Sequence, residues 1–181
     1  GTFLSRPLCS NVVHAMKPEE LAYIAGLIDG EGYIGIKKSK AYACQGRVTP
    51  GYSARICVKM VDEAAIRFLA ETLGGWYYKE KRAAVAGRRI LYSYQATEAR
   101  AESILRAVLP FLRVKRRNAE TVLALRELQR DGRKHRTKPS ALAPFPNLYK
   151  PRMVRRFCFS DEYVAACESL NESAKRLNHA P

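Results

Sequence analysis

Leu21-Ala22-Tyr23-Ile24-Ala25-Gly26-Leu27-Ile28-Asp29-Gly30-Glu31-Gly32 is an apolar stretch that ends in two acidic residues held between glycines. Pro18 just ahead of it suits a first helical turn, and Glu19 and Glu20 complement the positive end of a helix. A helix is therefore expected over 18–29, stopped by Gly30 and Gly32. The small residues Ala22, Ala25 and Gly26 allow a second helix backbone to approach closely. Asp29 and Glu31 stand at the negative end of the helix, where carboxylates are disfavoured. A bound cation offsets that cost, and hard oxygen ligands suit Mg2+. The plainer alternative is a helix end whose acids face water.

After Gly32 the period changes. Ile34 and Ile36 fall on one side of a strand, Lys37 and Ser39 on the other. A second strand alternates over 52–60, with Tyr52, Ala54, Ile56, Val58 and Met60 on one face and Ser53, Arg55, Cys57 and Lys59 on the other. Asp62 opens a helix to Leu73 that Gly74 and Gly75 end. Strands are expected at 76–81 and 90–96, joined by a basic tip that contains Arg88 and Arg89. Helices follow at 98–109 and 115–130, broken by Pro110, then a basic loop over 131–151 and a last helix at 161–177 with Ser160 as N-cap. This order predicts an α+β fold, an αββαββα core whose four-stranded antiparallel sheet carries helices on one face, plus C-terminal helices. Residues 1–17 form an N-terminal extension, 18–130 the core, and 131–181 a basic loop and helix packed on it.

Lys and Arg number 32 against 17 Asp and Glu, a net charge of +15 over 181 residues. Such a field captures polyanions but does not distinguish DNA from RNA. The cations are spread along the chain, which favours a folded basic surface over a basic tail. No apolar run approaches the ~18 residues of a membrane span, and no signal peptide is recognisable at the start. Five cysteines without Cys-x-x-Cys spacing and three scattered histidines argue against structural zinc or a disulfide framework. Reduced thiols in an intracellular protein are expected, with no membrane partner and no small-molecule substrate.

Ile24-Ala25-Gly26-Leu27-Ile28-Asp29-Gly30-Glu31-Gly32 closely resembles the signature nonapeptide of the LAGLIDADG homing endonucleases, matching it at six of nine places. Ile24, Gly30 and Glu31 are the departures. Leu109-Pro110-Phe111-Leu112-Arg113-Val114-Lys115 resembles that family's Pro-Phe-Leu-x-x-Lys element and the entry to the helix after it. The resemblance spans 18–130 and has the same element order.

It implies a site-specific nuclease that makes double-strand breaks by metal-dependent phosphodiester hydrolysis. Glu31 takes the place of the metal-binding acid, with the Gly30 carbonyl as a second ligand for Mg2+, or for Mn2+, or for Ca2+ in a non-cleaving complex. Lys115 matches the active-site lysine that stabilises charge near the scissile phosphate or positions the attacking water. Asp62 matches the polar residue that orders that water, and reads equally well as a helix N-cap. Asp29 holds the helix ends together rather than binding metal. A single signature implies a homodimer paired through Ala22, Ala25, Gly26 and Asp29, reading a long pseudo-palindromic double-stranded DNA target. Outward positions Lys37, Ser39, Arg55, Lys59, Lys79 and Lys81, with Arg88 and Arg89 at the hairpin tip, are the expected DNA contacts, each competing with a merely solvated surface. Two alternatives keep the fold: an RNA-binding intron maturase, and a DNA-binding regulator without nuclease activity.

Overall fold

The computed structural model describes residues 16–40, 49–80, 89–132, 134–137, 142–144, 153–155 and 158–179. Helix α1 (Pro18–Glu31) starts where the Glu20 carboxylate accepts the Lys17 backbone N–H at 3.2 Å. It runs through Gly30 to Glu31 rather than stopping at Asp29, because the Gly32 N–H still reaches the Ile28 carbonyl. A Cβ on Gly32 would lie 2.5 Å from that same oxygen. Only glycine lets the backbone pass there directly from helix into strand.

Strand β1 (Gly32–Ser39) pairs antiparallel with β2 (Gly51–Met60), which pairs with β4 (Tyr92–Thr97), which pairs with β3 (Trp76–Lys79). The spatial order is β1-β2-β4-β3. Ile34, Ile36, Ala54, Ile56, Val58, Tyr94 and Ala96 share one face and are buried. Against them pack Ile24 and Ile28 of α1, Ile66 and Leu69 of α2 (Glu63–Leu73), Ile104 and Leu105 of α3 (Glu98–Val108), and Val122 and Leu125 of α4 (Arg116–Arg130). The two-residue period puts the alternate residues on the opposite face, and the described helices α1 to α4 pack on the buried one. Between α3 and α4, Glu102 accepts from Arg106 at 3.2 Å, Arg126 at 3.1 Å and Arg130 at 2.5 Å. Burial raises the Glu102 carboxyl, and these guanidinium bonds outweigh it to hold it below its ordinary range.

The register corrects one expectation about faces. Trp76 lies opposite Gln95 and Tyr78 opposite Ser93, whereas Tyr77 faces Tyr94 and Lys79 faces Tyr92. Tyr94 is buried and its hydroxyl donates to the Gly74 carbonyl at 2.8 Å. Tyr77 and Lys79 therefore lie on the helix side, and the outward residues of β3 are aromatic. Counting from a tyrosine-rich strand could not show this, because tyrosine is compatible with either face. Lys81 and Arg88 lie outside the described residues.

The stretch expected as a plain loop holds short strands: β5 (Arg136–Thr137) pairs with β8 (Cys158–Phe159), and β6 (Leu142–Pro144) with β7 (Met153–Arg155). Runs of two or three residues are too short to show a period. Helix α5 (Asp161–His179) begins where the Ser160 hydroxyl accepts the Tyr163 N–H at 3.4 Å, and it packs on α4 and β1. Near its end, the Asn178 amide donates to the Ile34 carbonyl of edge strand β1 at 2.9 Å. Such cover protects an open sheet edge.

Glu168 of α5 accepts from Lys38 at 2.6 Å and from the Tyr52 hydroxyl. The Lys38 and Tyr52 hydrogen bonds hold its carboxyl down at about 2. A carboxyl lowered in the folded state contributes stability above the unfolded value of ~4.3, lost as pH falls towards the folded value. Thermal midpoints of the wild type minus those of Glu168→Gln should therefore shrink as pH is lowered from about 5 to about 2. A constant difference over that range would show that this contact does not couple α5 to the sheet.

Candidate active site and nucleic-acid interface

The C-terminal end of α1 is locked to the turn before α4 by reciprocal contacts. The Asp29 carboxylate accepts the backbone N–H groups of Arg113 at 2.7 Å, Val114 at 3.2 Å and Lys115 at 2.9 Å. In return, the Lys115 ammonium donates to the carbonyls of Ile28 at 3.0 Å and Asp29 at 2.6 Å. A cation on the last carbonyls opposes the helix dipole and makes an extended α1 affordable. Burial lowers the Lys115 ammonium, against the opposing charges of Asp29 and Glu31. Asp29 is thus a clamp, and so is Lys115. The family resemblance points to that lysine, whereas its bond to the helix end is visible only in the fold.

With Asp29 occupied, Glu31 is the acid left exposed at the helix terminus. Among the described residues, no hydrogen bond or ion pair engages its carboxylate. The Gly30 carbonyl lies within the last turn, where helical carbonyls lack intrahelical donors. These two oxygens fit a hard divalent cation. They make only part of a coordination shell, and the described residues hold no group of three His, Cys, Asp or Glu that could bind a metal. Glu31, Gly32, Tyr33, Arg55, Cys57 and Lys59 line an open depression beside this helix end. Lys115 is not among its lining residues. Lys59, expected only to touch bases, thus shares the depression with Glu31, and Glu80 pairs with its ammonium at 2.5 Å. The Arg55 guanidinium donates to Gln95 at 3.0 Å.

Asp62 resolves towards the second of its two readings. Its carboxylate accepts the Ala65 N–H at 3.1 Å and caps α2. The outward alternation Arg55, Cys57, Lys59 continues to Val61, which is 47% exposed, rather than to Asp62. Lys37 and Arg55 sit on the helix-free face, as does Ser39, whose hydroxyl donates to the Gly51 carbonyl at 3.3 Å. Arg89 is exposed, three residues ahead of β4. Across the sheet this face changes character: it carries Tyr33 and Lys37 on β1, the cations Arg55 and Lys59 on β2, neutral Ser93, Gln95 and Thr97 on β4, and aromatics on β3.

Helix α1 presents a second surface. Ala22, Gly26 and Gly30 are exposed at four-residue intervals, whereas Ala25 is fully buried in the core. Ala25 is thereby removed from the expected contact face, since one helical step of 100° separates it from Gly26. A Cβ at Gly26 or Gly30 would meet nothing within 4 Å. Glycine inside a helix costs about 0.5–1 kcal/mol relative to alanine, and no packing within the described residues requires it at either position.

A helix that feeds into a sheet with one bare face, repeated as αββαββα, is the fold of the LAGLIDADG homing endonucleases. Among solved structures, the homing endonuclease I-CvuI in complex with its target in the presence of 2 mM Ca superimposes with a TM-score of 0.64 at 14% identity, covering 90% of this chain and 84% of that one. The archaeal intron-encoded homing endonuclease I-Vdi141I, complexed with DNA, gives 0.62 at 13% identity, covering 90% and 86%. The homing endonuclease I-TnaI gives 0.52 at 14%, covering 90% and 96%. No family model matches the sequence, and no curated protein matches it.

Proposed function

We propose that this chain is a LAGLIDADG-type endonuclease of the single-motif class, which binds a long, partly palindromic DNA duplex as a homodimer and hydrolyses both strands with a divalent metal. The observation that carries the reading is the position of Glu31. It is a carboxylate that no described residue engages, on a clamped helix end, at the meeting of a small-residue helix face and a basic sheet face. Proteins of the same fold solved in complex with DNA, or with their target in the presence of Ca, add support.

Mg2+ or Mn2+ would be held by Glu31 and the Gly30 carbonyl, and Ca2+ would support binding without cutting. When bound, such an ion lowers the pKa of its water and neutralises charge on the phosphate. The chain's own residues do the rest. Arg55 and Lys59 hold the backbone phosphate beside Glu31, and Lys37 and Ser39 extend the contact along the groove. Asp29 and Lys115 keep the helix end immobile. One carboxylate per chain and two strands to cut call for two copies, brought together through Ala22, Gly26 and Gly30.

Digestion of a randomised duplex library in Mg2+, followed by sequencing of the ends, tests the activity. Paired breaks at one long, partly symmetric site are expected. Duplex binding in Ca2+ without cutting in Mg2+ would instead mark a regulator, and preference for a structured RNA would mark a maturase. Lys115→Met should slow single-turnover cleavage by ~10²-fold, as a small misplacement of a catalytic group does, because the helix end that carries Glu31 loses its clamp, with little change in affinity. It should also lower thermal stability, because the Ile28 and Asp29 carbonyls lose their donor. Reduced affinity with an unchanged chemical rate would make Lys115 a phosphate anchor only.

A further inference from the structure

We propose that the β3 half of the sheet reads DNA by apolar contact, with Trp76 and Tyr78 packing on thymine methyl groups in the major groove. This inference rests on the reading that the helix-free face binds duplex DNA. It assigns a role where the sequence pattern had suggested lysines.

The argument starts from which β3 residues are covered. On the helix side, Tyr77 stacks on Tyr92 with ring centroids 6.2 Å apart, and its hydroxyl donates to Glu63 at 2.6 Å. On the other side, Trp76 is 52% and Tyr78 38% exposed. Single exposed aromatics are ordinary. Here two of the four residues of an edge strand point the same way, and an uncovered aromatic edge strand invites aggregation unless a partner occupies it.

The chemistry of the partner follows from the row each residue occupies. Trp76 aligns with Gln95, Cys57 and Tyr33 across all four strands, and Tyr78 with Ser93 and Lys59. The aromatics thus continue the surface that carries Arg55 and Lys59, and a chain of net charge +15 draws a polyanion onto it. Yet with Lys79 on the helix side, no described residue of β3 offers a cation outward. The neighbouring polar groups are engaged: Gln95 accepts from Arg55 and Ser93 donates to Glu80 at 3.0 Å. The described residues of β3 therefore supply no ion pair at this end of the sheet, and the exposed rings of Trp76 and Tyr78 form most of its outward surface. The thymine C5 methyl is the apolar group that a base edge presents in the major groove. Flat aromatic side chains projecting from a β-ribbon match it in chemistry.

Trp76 is the only tryptophan of the chain, so its fluorescence reports this position alone. The experiment titrates the wild type in Ca2+ with a labelled duplex selected from a random library, reading label anisotropy and acrylamide quenching of Trp76 together. Saturation should protect Trp76 from acrylamide. Replacing thymines of the selected site one at a time by deoxyuridine removes only the methyl group. At one or more positions this should weaken binding about threefold to fivefold. Trp76→Ser and Tyr78→Ala should abolish that sensitivity while still binding the duplex. Binding by anisotropy with Trp76 fully open to acrylamide, or no deoxyuridine effect at any position, would overturn the inference and leave the DNA-binding reading intact. Absence of any duplex binding would overturn both.

Discussion

Glu31→Gln is expected to abolish strand cleavage while duplex affinity in Ca2+ stays close to that of the wild type. The substitution keeps the shape of the side chain and removes its charge. Charge is what a hard divalent cation requires, because a neutral amide oxygen repays much less of the ion's dehydration. Glu31 makes no described contact that holds the fold, so stability should be unchanged. The phosphate-binding cations Arg55 and Lys59 remain in place, which preserves binding. The loss should exceed the ~10²–10³-fold typical of removing a single transition-state donor, since the carboxylate of each half-site disappears. Single-turnover cleavage of the selected duplex, with binding measured in parallel, is the check. Cutting at the wild-type rate in Mg2+ would remove Glu31 from the active site and, with it, the main support for hydrolysis at this helix end.

Gly26→Leu is expected to produce a well-folded monomer that does not make double-strand breaks. A Cβ at Gly26 meets nothing within 4 Å in the isolated chain, so the larger side chain fits without strain. Leaving glycine behind inside a helix should raise monomer stability by about 0.8–1 kcal/mol. Against a second copy of α1, the same side chain would enter a close-packed contact, where added methylenes cost roughly 1–3 kcal/mol or more. The opposite signs make the result diagnostic: melting temperature up, dimer lost, cleavage lost. Sedimentation of wild type and variant, with and without duplex, measures the assembly directly. A Gly26→Leu protein that still dimerises and cuts both strands would move the interface elsewhere, with α5 the next surface to test.

The sequence alone determined the element order of the 18–130 core and the existence of the acidic helix end. Both are local properties: a helix shows a 3.6-residue period, a strand a two-residue period, and glycines or prolines mark the breaks. Ile34 and Ile36, or Ile66 and Leu69, betray their face because apolar and polar residues alternate beside them. The signature around Asp29 and Glu31 is likewise contiguous and was readable as it stands. Tertiary structure decided what depends on partners distant in the chain. Asp29 and Lys115 are 86 residues apart, and only folding turns one into the clamp of a turn and the other into the cap of a helix. Ala25 and Gly26 are adjacent and both small, so composition could not tell that one faces the core and the other solvent. In β3 the sequence Trp-Tyr-Tyr-Lys has no apolar–polar contrast, and its face was set by hydrogen-bonded register against Tyr92 and Tyr94. A period can be read only where the side chains differ enough in hydrophobicity to mark it. Where they do not, the pairing strand makes the choice.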